Sequence, residues 1–206
     1  LDYSFEGKEE ESQFDAALNM TLKTIEFARE REAIPFAVFK PTGFGRLALY
    51  EKVGDKAHLT ENEQKEWNRV IERFDIACKT AFEKDVLLLI DAEESWMQDA
   101  ADVIVTDMMR KYNKQKAIVF NTLQMYRWDR MDYLKNIHEQ AKAEGFFIGM
   151  KLVRGAYMEK ENDRAAERGQ KSPICESKEA TDINYDAAVS YMVDHLDIMA
   201  VFAGTH

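Results

Sequence analysis

Cysteine is scarce in this 206-residue chain, which carries only Cys78 and Cys175. Two thiols so far apart make neither a disulfide framework nor a zinc-ligand spacing. Both are expected to be reduced, which fits a cytosolic or matrix compartment. Histidine is thin too, at four, and His58, His138 and His195 fall in separate helical or loop contexts. His58 and His138 read as surface residues, and metal catalysis is not expected. Basic residues are outnumbered, 28 against 38 acids for a net charge of −10, which argues against a nucleic-acid surface. No stretch approaches the ~20 apolar residues that cross a bilayer. The opening LDYSFEGKEEE is no signal peptide, and a strand pattern starting at Leu1 reads as a cropped beginning.

What remains is a chain with 46% hydrophobic residues, enough for a sizeable core in one domain spanning 1–206. Short apolar runs alternate with longer amphipathic ones. LDYSF (1–5), FAVFK (36–40), VLLLI (86–90), AIVF (117–120), FFIGMKLV (146–153) and IMAVFA (198–203) read as strands. Between them lie helical stripes: Phe14, Leu18, Leu22 and Ile25; Trp67, Val70, Ile71, Phe74 and Cys78; Met97, Ala101, Ile104 and Met108. Leu134, Ile137 and Ala141 mark a fourth, 158–168 a charged fifth, and Val189, Met192, Val193 and Leu196 a last one. No low-complexity segment or close repeat is visible.

Strict alternation of strand and helix predicts an α/β fold with a parallel sheet, buried on both faces. A closed (βα)8 barrel and an open doubly wound sheet compete. The dinucleotide fingerprint G-x-G-x-x-G, which an open sheet of the binding type shows after its first strand, is missing. The strand exits carry Lys40, Asp91, Asn121, Lys151 with Arg154, and Thr205-His206. In a barrel, active sites gather at this carboxyl end. Five successive exits with polar groups favour one shared site over five separate solvated ends.

Lys151 is the most informative of these. Alternation along a strand puts Lys151 and Val153 on one face, with Leu152 and Arg154 on the other. An ammonium pointing into a barrel needs an anionic or acceptor partner. Either a ligand or a structural pair with Asp91 or another acid would meet that need. The acids of DAEE, Asp91 with Glu93 and Glu94, would suit a divalent metal by composition, but Lys40 and Lys151 oppose one.

LLLIDAEES (87–95), IVFNTLQMY (118–126), KLVRGAYMEKE (151–161) and FAGTH (202–206), in this order, resemble proline dehydrogenase. FKPTGFG (39–45) and LDYSFEGK (1–8) extend the resemblance along the whole chain, and it is nearer the monofunctional branch. It implies a distorted (βα)8 barrel that oxidises L-proline to Δ1-pyrroline-5-carboxylate with FAD and passes electrons to a membrane quinone. It implies Lys151 as the cation beside the flavin, an arginine in many members, where a compact ammonium replaces a planar fork. Lys40 would neutralise the substrate carboxylate, and Asp91 would organise the substrate site. Asn121 and Gln124 would lie around the flavin. Gly155 would permit close backbone approach, Tyr157 would pack on or line the pocket, and Arg154 would follow the lysine strand. Lys178, Thr205 and His206 would lie near the ribityl, phosphate or adenine parts.

The chain departs from that pattern at its end. Six strand segments are present where eight are needed, and no R-R-x-x-E-N-like segment occurs. The domain is therefore expected to be incomplete at both ends, and this fragment inactive by itself. A Schiff-base aldolase or lyase using Lys151 or Lys40 is a second reading. A non-catalytic truncated barrel is a third. Quinone reduction implies at least transient bilayer contact, either at the inner face of a bacterial membrane or at the mitochondrial inner membrane from the matrix.

Overall fold

The computed structural model describes residues 9–204. The strand expected at 1–5, and with it Thr205 and His206, lies outside the described residues. Five strands form one sheet: β1 (Phe36–Phe39), β2 (Leu87–Ile90), β3 (Val119–Gln124), β4 (Ile148–Val153) and β5 (Met199–Ala203). Each pairs parallel with the next, in chain order. Seven helices accompany them: α1 (Glu11–Arg29), α2 (Leu47–Gly54), α3 (Glu61–Lys84), α4 (Ser95–Tyr112), α5 (Arg130–Glu144), α6 (Met158–Glu167) and α7 (Lys178–Val193). Strand order that never reverses is the sheet of a barrel rather than of a doubly wound fold, which has a switch point.

The helices have local causes. Thr60 caps α3 in a reciprocal box, its hydroxyl accepting from the Glu63 amide while Glu63 reaches back. At the other end Asp85 takes a left-handed conformation (φ 56°) that turns the chain into β2. Gly145 does the same after α5, at φ 68°.

Alternation along the strands creates two unlike faces. Ala37, Phe39, Leu88, Ile90, Ile148, Met150 and Leu152 pack outward against the helices in the large core. Phe36, Val38, Leu87, Leu89, Phe120, Phe147, Ala200 and Phe202 form a separate cluster on the inner face. The sheet curls so strongly that Phe36 of β1 meets Phe202 of β5 edge to face, ring centroids 5.1 Å apart. Phe36 also meets Phe120, at 5.8 Å. First and last strand thus touch through their side chains across the concave face, which is the curvature of a barrel.

Three expectations need correction. Helix α2 was not foreseen, because its eight residues follow Pro41, Gly43 and Gly45, which read as loop. His138 is not a surface residue: it is 3% exposed, and its Nδ1 lies 2.7 Å from the Tyr191 hydroxyl. The α7 stripe is shifted, since Val193 and Leu196 are exposed while Tyr185, Ala188 and Met192 face the core.

Candidate active site

The strand exits converge on a cavity of about 400 Å³. Lys40, Asp91, Thr122, Gln124 and Lys151 line one part of it; Val153, Arg154, Gly155, Tyr157 and Gly204 line another. Three of the inner-face positions here lie two residues beyond an apolar one, because the strand period is two. Lys40 follows Val38, Asp91 follows Leu89, and Thr122 follows Phe120.

Lys151 donates to Asp91 Oδ1 at 2.6 Å, both side chains being about a fifth exposed (19% and 22%). Thr122 is the β3 partner of Lys151, so the pair bridges over β3 to the exit of β2. The Thr122 hydroxyl itself donates to the Ile90 carbonyl at 2.8 Å. Lys40, by contrast, has no ion-pair partner among the described residues, although it lines the same cavity. The turn Pro41–Gly43 directly follows it, and proline fixes the backbone there.

Glu93 lies just behind this wall, 2% exposed. Its Oε1 accepts from the Thr42 hydroxyl at 2.7 Å and its Oε2 from the Thr42 amide at 2.9 Å. Burial pushes its carboxyl up to about 7, with Glu94 adding to the rise while the Thr42 bonds and Lys40 oppose it. Gln124 spans the site: its Nε2 donates to the Glu93 carbonyl (2.7 Å), and its Oε1 accepts from the Ala156 amide (3.0 Å). The exits of β2 and β4 are thereby held at a fixed spacing.

Gly155 has φ +141°, and a Cβ there would fall 2.4 Å from the Tyr126 ring. Only glycine meets both conditions. Arg154 donates to Asp182 Oδ1 at 2.5 Å and lies over the Tyr185 ring, 4.5 Å from its centroid. Lys178 is exposed and holds the other oxygen of Asp182 at 2.5 Å, so it supports Arg154 from outside the cavity.

Asn121 takes a different place. It is on the outer face of β3, where its amide donates to Asp102 (2.8 Å) and to the Tyr133 hydroxyl (3.3 Å). Gln98 and Arg130 complete the same buried network on Asp102. Burial raises and Arg130 and Arg127 lower the neighbouring Asp129 carboxyl, which ends at about 2.

Sequence reasoning did not single out Thr122, Thr42 or Glu161. Glu161 of α6 is buried and accepts from the Ser95 amide and hydroxyl, both at 2.6 Å, tying α6 to the start of α4. The hydrophilic spacing of a charged helix conceals such a residue. Thr122 could have been found, since it stands two positions after an apolar inner-face residue.

A family model for proline dehydrogenase matches residues 1–206. The chain belongs to the proline dehydrogenase family. Among curated members, the carbapenem antibiotics biosynthesis protein CarD of Pectobacterium carotovorum subsp. carotovorum is 37% identical over 207 residues, covering 100% of this chain and 54% of CarD. Human proline dehydrogenase 1, mitochondrial, is 39% identical over 140 residues, 68% of this chain and 23% of the human one. The chain thus spans about half the length of CarD and about a quarter of the human protein. Proline utilization A of Bdellovibrio bacteriovorus matches in three dimensions with a TM-score of 0.84 at 18% identity, over 100% of this chain and 22% of that one. A Bradyrhizobium japonicum proline utilization A gives 0.85 at 19% identity, covering 100% and 21%. At such identities the likeness speaks for the barrel fold alone. Among the described residues no helix is long and apolar enough to cross a membrane, and no group of three metal-ligating side chains occurs.

Proposed function

We propose that this chain is the FAD-binding barrel of an enzyme that oxidises L-proline to Δ1-pyrroline-5-carboxylate, with a quinone as the onward electron acceptor. The observation that carries this reading is the contrast within one cavity of a chain matched throughout by the family. Lys151 is tethered to an acid, while Lys40 is left to meet an anion.

The donor set fits a flavin. Two ammonium groups and a guanidinium border a cavity whose wall includes the small surfaces of Gly155, Ala156 and Gly204, which suit close approach by a flat ring. When bound, the flavin supplies the two-electron acceptor for the hydride. Lys151 and Arg154 would hold it, and Lys151 would stabilise negative charge developing there. Asp91 keeps the Lys151 ammonium aimed across β3. Lys40 would bind the substrate carboxylate and so orient the ring carbon next to nitrogen. Tyr157 would close the flank of the cavity, and the phenylalanines below would exclude water. Gln124 and Asn121 act as braces, and Lys178 acts through Asp182. Thr205 and His206 continue the chain beyond Gly204 and are proposed for the same cofactor.

The test is the visible spectrum of the whole protein, purified and kept anaerobic. Bound flavin that bleaches on adding L-proline is expected. No flavin, or no bleaching, contradicts the reading. A borohydride-trapped adduct on Lys40 or Lys151 would favour Schiff-base chemistry instead.

A further inference from the structure

Between Lys40 and the next helix, the turn Pro41–Gly43 is tethered at two points. The Tyr50 hydroxyl donates to the Pro41 carbonyl at 2.8 Å, and Tyr50 is fully buried in the core. The second tether is the two-pronged grip of Glu93 on Thr42. Glu93 is in turn held by Gln98, which accepts from its amide (2.9 Å), and by Gln124, which donates to its carbonyl (2.7 Å). An acid this deeply buried, with both oxygens committed to one threonine, is an unusual use of a carboxyl.

We infer that Glu93 is a positioning residue: by gripping Thr42 it fixes the turn that carries Lys40, and so sets the place where the substrate carboxylate binds. This rests on the proposed proline oxidation. It adds a pH dependence to it. Groups facing Glu93 are Lys40 from the β1 exit, Tyr50 from α2 and Glu94 beside it; Gln98 and Gln124 are neutral. With the Glu93 carboxyl near 7, ionisation adds a negative charge close to Lys40 within the neutral range. That charge competes with the substrate carboxylate for the ammonium. Affinity for proline should therefore fall, by about five-fold, between about pH 6 and pH 8.

Four variants of the whole, flavin-loaded protein separate the possibilities. Glu93→Met keeps volume and removes both prongs of the grip, while Thr42→Val removes the hydroxyl prong and keeps the backbone one. Thr42→Ser and Glu93→Gln keep both, because an amide can accept from the Thr42 N–H and donate to its hydroxyl. Expected are a KM for proline raised about ten-fold in Glu93→Met and by less in Thr42→Val, both with kcat within two-fold, wild-type constants at about pH 6 in Thr42→Ser and Glu93→Gln, and a flat pH profile in Glu93→Gln. Amide hydrogen exchange at Thr42, read without substrate, should be slow in the wild type and fast in Glu93→Met. Unchanged KM in Glu93→Met, or fast exchange at Thr42 in the wild type, overturns the inference. A step at the same pH in Glu93→Gln also overturns it. A wild type that does not bind proline overturns the proposed function instead, so the two failures are distinguishable.

Discussion

The inner face of this sheet has two tiers that share strands but not chemistry. Toward the strand starts lie Phe36, Val38, Leu87, Leu89 and Phe120, an apolar cluster that Phe202 of β5 joins through its ring against Phe36. One pleat further along the same face lie Lys40, Asp91, Thr122 and Lys151. On β1, β2 and β3 the change takes two residues: Val38 to Lys40, Leu89 to Asp91, Phe120 to Thr122. On β5 it does not happen at all, for Phe202 itself stands level with Lys151 and the next residue on that face is Gly204. The lower tier holds the curvature and keeps water out of the middle. The upper tier places charge where a ligand can reach it. Stability and chemistry are therefore separable by position along a strand, and substitutions should sort the same way.

The largest effect is expected below. Phe120→Ala leaves a hole between Phe36 and Leu89 and should cost about 4 kcal/mol in urea unfolding, with proline affinity little changed in the fraction that folds. Next comes a group at the boundary. The Glu93 carboxyl is raised from 4.5 to about 7, so its protonated form is favoured by the fold. The stability this represents is complete below about pH 4.5 and is lost as pH rises through about 7. Between pH 5 and 8 the wild type should lose on the order of 3 kcal/mol relative to Glu93→Gln. In the upper tier, Lys151→Met should lower kcat/KM for proline by about a hundred-fold while moving the unfolding midpoint little. Smallest is a surface pair on α3: Lys65→Ala removes the 2.8 Å contact with Glu61 and should change stability by less than about 0.5 kcal/mol. Should Phe120→Ala impair affinity more than Lys151→Met, the two-tier division is broken.

Much of this plan is legible in the sequence. Apolar runs named the strands from β1 to β5, and strand-end polarity pointed at Lys40, Asp91 and Lys151, which the structure brings to one cavity. Alternation alone put Lys151 and Val153 on a common face, and both line it. What escaped depended on partners distant in the chain. Asn121 and Gln124 are three apart in one strand, so parity sends them to opposite faces, yet both read as amides at a strand exit. The value of Glu93 comes from Thr42, 51 positions earlier. His138 is buried because Tyr191 of α7 and His195 just beyond that helix pack against it, and burial lowers its pKa. No periodicity within α5 announces that. Helix α2 escaped for the opposite reason, since local punctuation by Pro41, Gly43 and Gly45 masked a short apolar segment that tertiary packing makes helical.

Lys40 has no ion-pair partner among the described residues, and we propose that it receives the substrate carboxylate. Calorimetric titration of L-proline into the wild type and into Lys40→Met tests it most directly. Loss of the ammonium should weaken binding by about a hundred-fold, the value of a charge-assisted hydrogen bond at a part-buried site. Equal affinity in the two proteins would contradict the account.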